Sequence, residues 1–471
     1  CIIHIQKNIL LSRKGNDILK KILKKELLIY GIGIFFLLII LAIAIYFASK
    51  EENENLDIKE LTATVVSVSD SIITIEDAQN IRYQISDANM DVDSGDNIIV
   101  KYTGILDKRK DIQDITIINY DVSNPISSNI VPSEYEDNGI FSNYYILAYR
   151  KLQELSLDDK IGQILLVRYP DNNQLDALQK YKFAGFVFFE KDFKNKTTSE
   201  VQKMIDTLQQ ASSIPLLTAV DEEGGQVVRI SSNPKLASKK FASPKELYDL
   251  GGLNAIKEDT KEKSTLLNKL GINVNLAPVV DVATNPSSYM YNRTIGQNTQ
   301  ITSEYAKTVI EASKGTSVSY TLKHFPGYSD NSDTHTQSST DTRTLEEIKT
   351  NDLPPFISGI NAKAEAILIS HNIVNSIDAS NPASLSANVH DLLRDELGFT
   401  GIIITDDLAM GATSSIDNAI VKAIQAGNDL IITTDYENDI NIIKEALNSG
   451  QINDKQIDKM VFRTLAWKYY K

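Results

Sequence analysis

The chain has 471 residues, enough for about two or three domains, and 42% of them are hydrophobic, which is typical of proteins with well-packed cores. Its formal net charge is −14, which argues against nucleic acid as a partner because phosphate binding requires a basic face. The single cysteine, Cys1, excludes an intramolecular disulfide and a zinc site built from several thiolates.

The first part of the chain has the pattern of a membrane anchor. Residues 27–48 are apolar and uncharged, and a helix of about 20 such residues crosses a bilayer. Lysine and arginine are concentrated before this run, and glutamates follow it. The pattern predicts a cytoplasmic basic arm (1–26), one transmembrane helix (27–48) and a remainder outside a bacterial cell membrane. The alternative, a buried core helix, is disfavoured because the run is apolar on every face.

Residues 60–122 are predicted to form a small all-β domain. Short runs rich in β-branched residues, at 62–68, 72–75, 98–102 and 115–118, alternate with turn-forming sequences. Five or so short strands favour a small barrel of the OB or SH3 kind, which we interpret as a spacer or wall-facing adaptor. Residues 123–143, which contain Pro125 and Pro132, have the composition of a linker.

From residue 144 to residue 471, strand-like runs alternate with amphipathic segments, among them 199–210, 301–313 and 345–360. Such alternation is typical of a (β/α)8 TIM barrel, and a doubly wound open sheet is the alternative. The predicted fold class is therefore α/β, a TIM barrel preceded by a transmembrane helix and a small all-β domain. The eight predicted strands are residues 163–168, 185–189, 216–221, 274–282, 318–324, 366–371, 401–406 and 429–433.

Polar residues collect where these strands end, and that is the face of a TIM barrel that carries the active site. Asp406 follows the apolar run 401–405, so its carboxylate is expected at the barrel mouth. Cleavage of a glycosidic bond requires a group that attacks the anomeric carbon and a group that protonates the departing oxygen. An ionised carboxylate suits the first role, so Asp406 is the predicted nucleophile. The alternative for Asp406 is a helix cap, a role better suited to Asp407.

The predicted proton donor is His335, paired with Asp333. Their spacing places both side chains on one side of an extended backbone. A carboxylate against one ring nitrogen orients the imidazole and leaves the other nitrogen to exchange a proton. The alternatives are a solvated loop histidine, or a metal site in which Asp333 joins Asp221 and His324.

Several cations and one further carboxylate near the same mouth suit the recognition of sugar hydroxyl and amide groups. Simple ion pairing is the alternative, above all for Arg229, which lies several residues beyond its strand. Glu222 and Glu223 are interpreted as turn residues. The predicted substrate-binding residues are Asp221, Arg229, Arg293, Lys323 and His324.

At these residues the sequence resembles glycoside hydrolase family 3, specifically its single-barrel β-N-acetylhexosaminidase branch. Four stretches carry the resemblance: 220–229, 275–282, 323–327 followed by Asp333-Thr334-His335, and 404–410. It implies that Asp406 is the nucleophile, that His335 oriented by Asp333 is the acid/base, and that Asp221, Arg293, Lys323 and His324 bind N-acetylglucosamine. Tyr328 departs from the family pattern, which usually has Gly-His-Gly at 327–329.

The sequence therefore predicts a retaining exo-β-N-acetylhexosaminidase that removes terminal β-N-acetylglucosamine from peptidoglycan-derived or other cell-wall glycans. The reaction is expected to need no metal and no organic cofactor. One alternative is another family 3 β-glycosidase or a glycoside phosphorylase. A second is a wall-binding protein without activity, which the presence of both Asp406 and His335 disfavours.

Overall fold

A computed structural model describes residues 57–69, 72–79, 81–86, 90–107, 112–124, 131–328 and 339–471. The predicted membrane span (27–48) and the predicted acid/base pair, Asp333 and His335, lie outside these ranges. Among the helices within these ranges, none has both the length and the apolar character needed to cross a bilayer. The described residues from Glu60 to Lys471 belong to one compact unit.

The smaller sheet has five strands in the order β3-β2-β1-β4-β5. Along β2 every second side chain is buried, the pattern of a sheet with one face on a core. A backbone hydrogen bond of 2.7 Å from Gln113 N to Gln84 O joins the two edges, as in a partly open barrel of the OB kind. The predicted short strands are confirmed as a small antiparallel sheet, which consists of β1 (Lys59–Ser69), β2 (Ile72–Asp77), β3 (Arg82–Ser86), β4 (Asn97–Gly104) and β5 (Ile115–Asn124).

The larger sheet has eight parallel strands in the order β14-β12-β10-β9-β8-β7-β6-β15. The ring closes between its two ends through a parallel bridge of Ile404 with Leu430, so the sheet is a barrel. Two further short strands, β11 (Thr340–Asp341) and β13 (Ile373–Val374), pair outside it. The barrel strands are β6 (Leu165–Arg168), β7 (Gly185–Phe188), β8 (Leu217–Val220), β9 (Val274–Asn275), β10 (Ser319–Phe325), β12 (Ala366–Ile369), β14 (Ile402–Thr405) and β15 (Ile431–Thr433).

Helices precede, separate and follow these strands along the chain. The second half of the predicted segment 345–360 is a separate helix because Asp352 precedes Leu353-Pro354-Pro355, and proline favours the first turn of a new helix. The helices are α1 (Tyr145–Glu154), α2 (Leu157–Gln163), α3 (Gln174–Tyr181), α4 (Glu190–Phe193), α5 (Thr198–Ala211), α6 (Pro244–Lys269, interrupted at Gly251–Gly252), α7 (Thr299–Ser313), α8 (Leu345–Asn351), α9 (Leu353–Asn361), α10 (Ala387–Asp391, continued by a π-helical turn, Leu392–Glu396), α11 (Ala419–Ala426), α12 (Tyr436–Asn448) and α13 (Asp454–Tyr470).

Helix α13 covers the amino-terminal face of the barrel. Trp467 is fully buried, and its indole nitrogen donates to Ser319 Oγ (2.9 Å) and Glu365 Oε2 (3.0 Å), at the starts of two different strands. The small sheet packs at the same end, where Arg82 donates to the Lys468 carbonyl oxygen at 2.7 Å. Helix α13 and the small sheet therefore do not cover the carboxyl ends of the barrel strands.

All eight predicted strands are present, and together they confirm the barrel. Most differ from the prediction by one or two residues. The exception is the predicted strand 274–282, of which only Val274–Asn275 is regular strand. Pro278 interrupts it because proline has no N–H to donate to a neighbouring strand, although Val279 still bridges to Lys323.

Candidate active site

A cavity of about 610 Å³ opens at the carboxyl ends of the barrel strands. Its lining combines charged and polar side chains with apolar ones such as Leu368 and Ile432, a combination typical of a small-molecule site. The remaining predicted site residues, Asp333 and His335, lie outside the described part of the chain. Every predicted site residue that the structure describes lines this cavity: Asp221, Arg229, Arg293, Lys323, His324 and Asp406.

Four of the charged side chains in and behind this cavity form one network. Lys323 Nζ donates to Asp221 Oδ1 at 2.8 Å and lies 2.7 Å from Glu223 Oε1. Arg293 donates to both oxygens of Glu223, at 3.0 Å from Nε and 2.6 Å from a terminal nitrogen. The Glu223 side chain is only 1% exposed, so this carboxylate lies behind the cavity and fixes two cations that line it. Such forked arginine–carboxylate contacts restrict geometry as well as supply energy.

The network keeps its members charged. Burial acts to raise the pKa of Asp221, but the nearby cations, Lys323 first and Arg229 second, outweigh it and hold that pKa below its usual range. Burial opposes charge on Glu223 in the same way, and Arg293 and Lys323 again lower the pKa. Burial acts to lower the pKa of Lys323, but Asp221 and Glu223 raise it. The floor of the site is therefore a fixed array of alternating charges able to bind hydroxyl and amide groups.

Asp406 lies at the position predicted for a nucleophile. It directly follows the fully buried strand β14, and its backbone N donates to Ile369 O at 3.1 Å on the neighbouring strand. Its Oδ1 accepts from the Asp407 backbone N at 2.9 Å. No described residue donates to Oδ2, which leaves that oxygen available to a ligand in the cavity.

His324 is held by a buried carboxylate. Its Nδ1 lies 2.8 Å from Asp281 Oδ2, and Asp281 Oδ1 accepts from the backbone nitrogens of His324 (3.3 Å) and Tyr328 (2.9 Å). An ionised Asp281 accepts from Nδ1–H, which leaves Nε2 for the cavity. Tyr328 is buried, and its ring centre lies 5.6 Å from that of His324. Tyr328 thus supports the site from behind.

His371 and Asp407 support the loop that follows strand β14. His371 is fully buried, and its Nε2 donates to the Asp407 carbonyl oxygen at 3.0 Å while Nδ1 accepts from Ser384. Asp407 Oδ1 accepts from Ala409 N at 2.9 Å, which forms a turn rather than a helix cap. Burial raises the pKa of Asp407.

Sequence reasoning missed the role of Glu223, which was interpreted with Glu222 as a turn residue. That interpretation fits Glu222, whose carboxylate accepts from the backbone nitrogens of Arg229 and Ile230, both at 2.8 Å. Alternation is a signal that could have revealed this role, because residues two apart on an extended backbone share a face and Glu223 lies two positions after Asp221. Asp281 and Arg168 were not assigned roles either, although both lie near strand ends.

Metal binding finds no support in the part of the chain that the structure describes. No group of three or more histidine, cysteine, aspartate or glutamate side chains there is arranged to hold an ion. Asp221 and His324 instead have separate partners, Lys323 and Asp281.

A second cavity, of about 620 Å³, lies at the opposite end of the barrel, between its amino-terminal face and the small sheet. Its one lining carboxylate, Glu365, is bound by Trp467, Ser319 and Lys471. Because this carboxylate is fully occupied, the cavity at the carboxyl ends of the strands is the better candidate for catalysis.

A barrel with a carboxylate directly after β14 and several charged side chains around one cavity at the strand ends has the arrangement of an enzyme that acts on a polar small molecule. The comparisons are specific: residues 156–466 match the model of the glycosyl hydrolase family 3 N terminal domain. The chain belongs to glycoside hydrolase family 3, as the sequence predicted.

Relatives agree with the predicted enzyme class, a glycosidase of the β-N-acetylhexosaminidase type. The chain is 29% identical over 283 residues to a beta-hexosaminidase of Xanthomonas euvesicatoria, covering 59% of this chain and 82% of the relative. A family 3 beta-N-acetylglucosaminidase from a Paenibacillus species has 28% identity and a TM-score of 0.62, over 67% of this chain and 63% of that protein. A family 3 glycosyl hydrolase from Mycobacterium smegmatis has 29% identity and a TM-score of 0.61, over 67% and 98%.

Proposed function

We propose that the chain is a retaining exo-β-N-acetylhexosaminidase that removes terminal β-N-acetylglucosamine from glycans. The observation that carries this proposal is the position of Asp406, which lines one cavity with all five predicted sugar-binding side chains. The activity named for the relatives supports the same substrate class.

The first half of the reaction uses Asp406 as the nucleophile. Its carboxylate attacks the anomeric carbon, the bond to the leaving-group oxygen breaks, and an acid donates a proton to that oxygen. Asp221, Lys323 and His324 hold the sugar hydroxyls during this step. In the second half, the same acid, now a base, takes a proton from water, which attacks the anomeric carbon and releases Asp406.

We assign the acid/base role to His335, oriented by Asp333. Supporting this assignment, the segment that contains both residues begins directly after Tyr328, whose ring contacts His324 at the edge of the cavity. The described residues contain a rival, the His324–Asp281 pair, which has the same chemistry of an imidazole against a carboxylate. The two histidines must therefore be separated by experiment.

Turnover of a nitrophenyl N-acetyl-β-glucosaminide tests the proposal, with Asp406→Asn as the control. We expect activity in the wild type and a loss of kcat of at least about a thousandfold in the variant, since a carboxamide is a poor nucleophile. An inactive wild type, or full turnover by Asp406→Asn, would overturn the proposal.

Leaving-group dependence identifies the acid. An enzyme that lacks its acid still cleaves a good leaving group such as dinitrophenolate, which departs without protonation. We expect His335→Ala to lose much more activity on the nitrophenyl than on the dinitrophenyl glycoside. We expect His324→Ala, which removes sugar binding, to lose similar factors on both. The reverse result would assign the acid/base role to His324.

We also propose that the enzyme is anchored in a bacterial membrane with its barrel outside, and that wall-derived glycans are its substrates. The basic residues of 1–26 and the apolar run of 27–48 support this orientation. Protease added to intact cells should remove the barrel while a cytoplasmic marker survives. Protection of the barrel in intact cells but not in lysed ones would contradict the orientation.

A further inference from the structure

Two buried aspartates close to the active site share one arginine, Arg343. Its Nε donates to both oxygens of Asp341 at 3.0 Å, and one terminal nitrogen donates to Asp341 Oδ2 at 2.7 Å. The other terminal nitrogen donates to Asp352 Oδ2 at 2.6 Å. The side chains of Asp341 and Asp352 are 3% and 1% exposed, so water competes little for these contacts. Because forked contacts between a guanidinium and a carboxylate restrict geometry, Arg343 fixes the two aspartates relative to each other.

Asp352 restricts the turn at the end of strand β10. It packs so closely against Gly327 that a Cβ added there would lie 2.5 Å from Asp352 Oδ1. Within the turn, Gly327 N donates to His324 O at 2.9 Å. The next residue, Tyr328, is held through its backbone N, which donates to Asp281 Oδ1 at 2.9 Å. The path of the chain from the predicted sugar-binding residue His324 to Tyr328 therefore depends on the position of Asp352.

Strand β11, which contains Asp341, follows the predicted acid/base pair in the chain. It is paired with β13, and just before it Ser339 O accepts from Ile373 N at 2.8 Å. Residues 329–338 connect the turn after β10 to this strand in the sequence. The two aspartates that Arg343 joins therefore hold the described chain on either side of those residues.

We propose that Arg343 is a positioning residue for the acid/base step, because it sets the separation between the turn that precedes His335 and the strand that follows it. The inference rests on the proposed function and deepens it, since Arg343 does not itself line the cavity. Burial raises the pKa of Asp352 to about 6, so its contact with Arg343 joins charged groups at neutral pH. A displacement of about 1 Å in a catalytic group can cost about a hundredfold in rate, so a loosened Arg343 contact should slow proton transfer.

Leaving-group dependence separates positioning from general stability. The value of kcat/KM reports the first half of the reaction, in which phenolate needs a proton in order to depart and dinitrophenolate does not. We expect Arg343→Lys to lower kcat/KM about tenfold on the phenyl N-acetyl-β-glucosaminide and less than about twofold on the dinitrophenyl one, because lysine keeps the charge but lacks the fork that joins two carboxylates. Arg343→Gln should show a larger difference between the two glycosides, and Arg343→Lys keeps the test valid should the glutamine variant not fold.

Arg463→Gln is the matched control at the opposite end of the barrel. Arg463 also contacts two aspartates, Asp137 and Asp429, and its side chain is 30% exposed, compared with 25% for Arg343. This variant should lower the free energy of unfolding and leave the ratio of the two kcat/KM values unchanged.

His335→Ala, measured in parallel, separates failure of the inference from failure of the proposed function. Equal losses on both glycosides in Arg343→Lys, or no loss on either, would overturn the inference if His335→Ala shows the unequal loss expected of a missing acid. Equal losses in His335→Ala, or a wild type inactive on both glycosides, would refute the proposed mechanism and with it the role of Arg343.

Discussion

Glu223 offers the most direct test of the buried charge network, because one substitution removes one charge and little volume. In Glu223→Gln the side chain keeps its shape, but its new amide nitrogen faces Arg293 or Lys323, both of which are donors. The variant loses an anion that holds Arg293 at 2.6 and 3.0 Å and Lys323 at 2.7 Å. Lys323 then keeps only Asp221 as an anionic partner, and Arg293 loses the one carboxylate that it contacts among the described residues.

The expected magnitude follows from the burial of these groups. The Glu223 side chain is 1% exposed and that of Lys323 is 3% exposed, so water cannot replace the lost carboxylate. Removing one partner of a buried ion pair costs about 3–5 kcal/mol. We therefore expect Glu223→Gln to lower the free energy of unfolding by about 3 kcal/mol or more at neutral pH, and to raise KM because Lys323 is no longer held.

The assay is urea unfolding, followed by tryptophan fluorescence because Trp467 is the only tryptophan and is buried. The matched control is Glu396→Gln, which removes a carboxylate that is 56% exposed and contacts Lys349. Exposed pairs contribute about 0–1 kcal/mol, so this control should unfold almost like the wild type.

The pH dependence supplies a second readout with a defined sign. The pKa of Glu223 is lowered by folding, so its contribution is complete above its ordinary pKa of 4.5 and is lost as pH falls below that value. The difference between wild type and Glu223→Gln should be constant near neutrality and shrink in acid. A difference below about 1 kcal/mol at pH 7, or one that grows in acid, would refute the network as a source of stability.

Three further variants test other parts of the fold. Burial raises the pKa of Asp439 to about 6. The free energy of unfolding of the wild type, measured by urea unfolding, should therefore fall by about 1 kcal/mol relative to Asp439→Asn as pH rises through that value. Equal pH dependence of the two free energies would refute the shift. Gly327→Ala places a methyl group 2.5 Å from Asp352 Oδ1 at a backbone φ of +126°, so it should lower the free energy of unfolding by about 2 kcal/mol and reduce turnover; Gly315→Ala, with positive φ but open space, separates clash from strain. Burial lowers the pKa of Lys468 well below 10.5, so the unfolded chain binds more protons than the folded one. The free energy of unfolding of the wild type should therefore rise by at least about 1 kcal/mol relative to Lys468→Met as pH rises from neutrality towards 10.5. A difference that does not change with pH would show that Lys468 is buried as a cation.

The barrel could be predicted because its strands are buried on both faces. Such strands are continuous apolar runs, and the run before Asp406 is one of them. The position of the site followed from the same fact, since polar residues directly after buried strands meet at one face of a barrel. The family resemblance added the roles of those residues.

The ion-pair partners of the charged residues in the active site could not be predicted from the sequence. Glu223 contacts Lys323 and Arg293, which lie 100 and 70 positions away, and no local feature of the sequence identifies these two partners. Which carboxylate pairs with which cation is decided by the folded structure, because the same set of charged residues could form many different ion pairs.

The tight packing of helix α13 also bears on how the protein is made. Its buried face, which includes Trp467, contacts the starts of strands β10 and β12. Because both strands precede the helix in the chain, they emerge during synthesis well before the helix that covers them. A nascent chain stalled before Asp454 should therefore display bare apolar strand ends and recruit chaperones, because exposed hydrophobic surface promotes aggregation. Native compaction of the barrel would have to wait until residues 454–470 leave the ribosome.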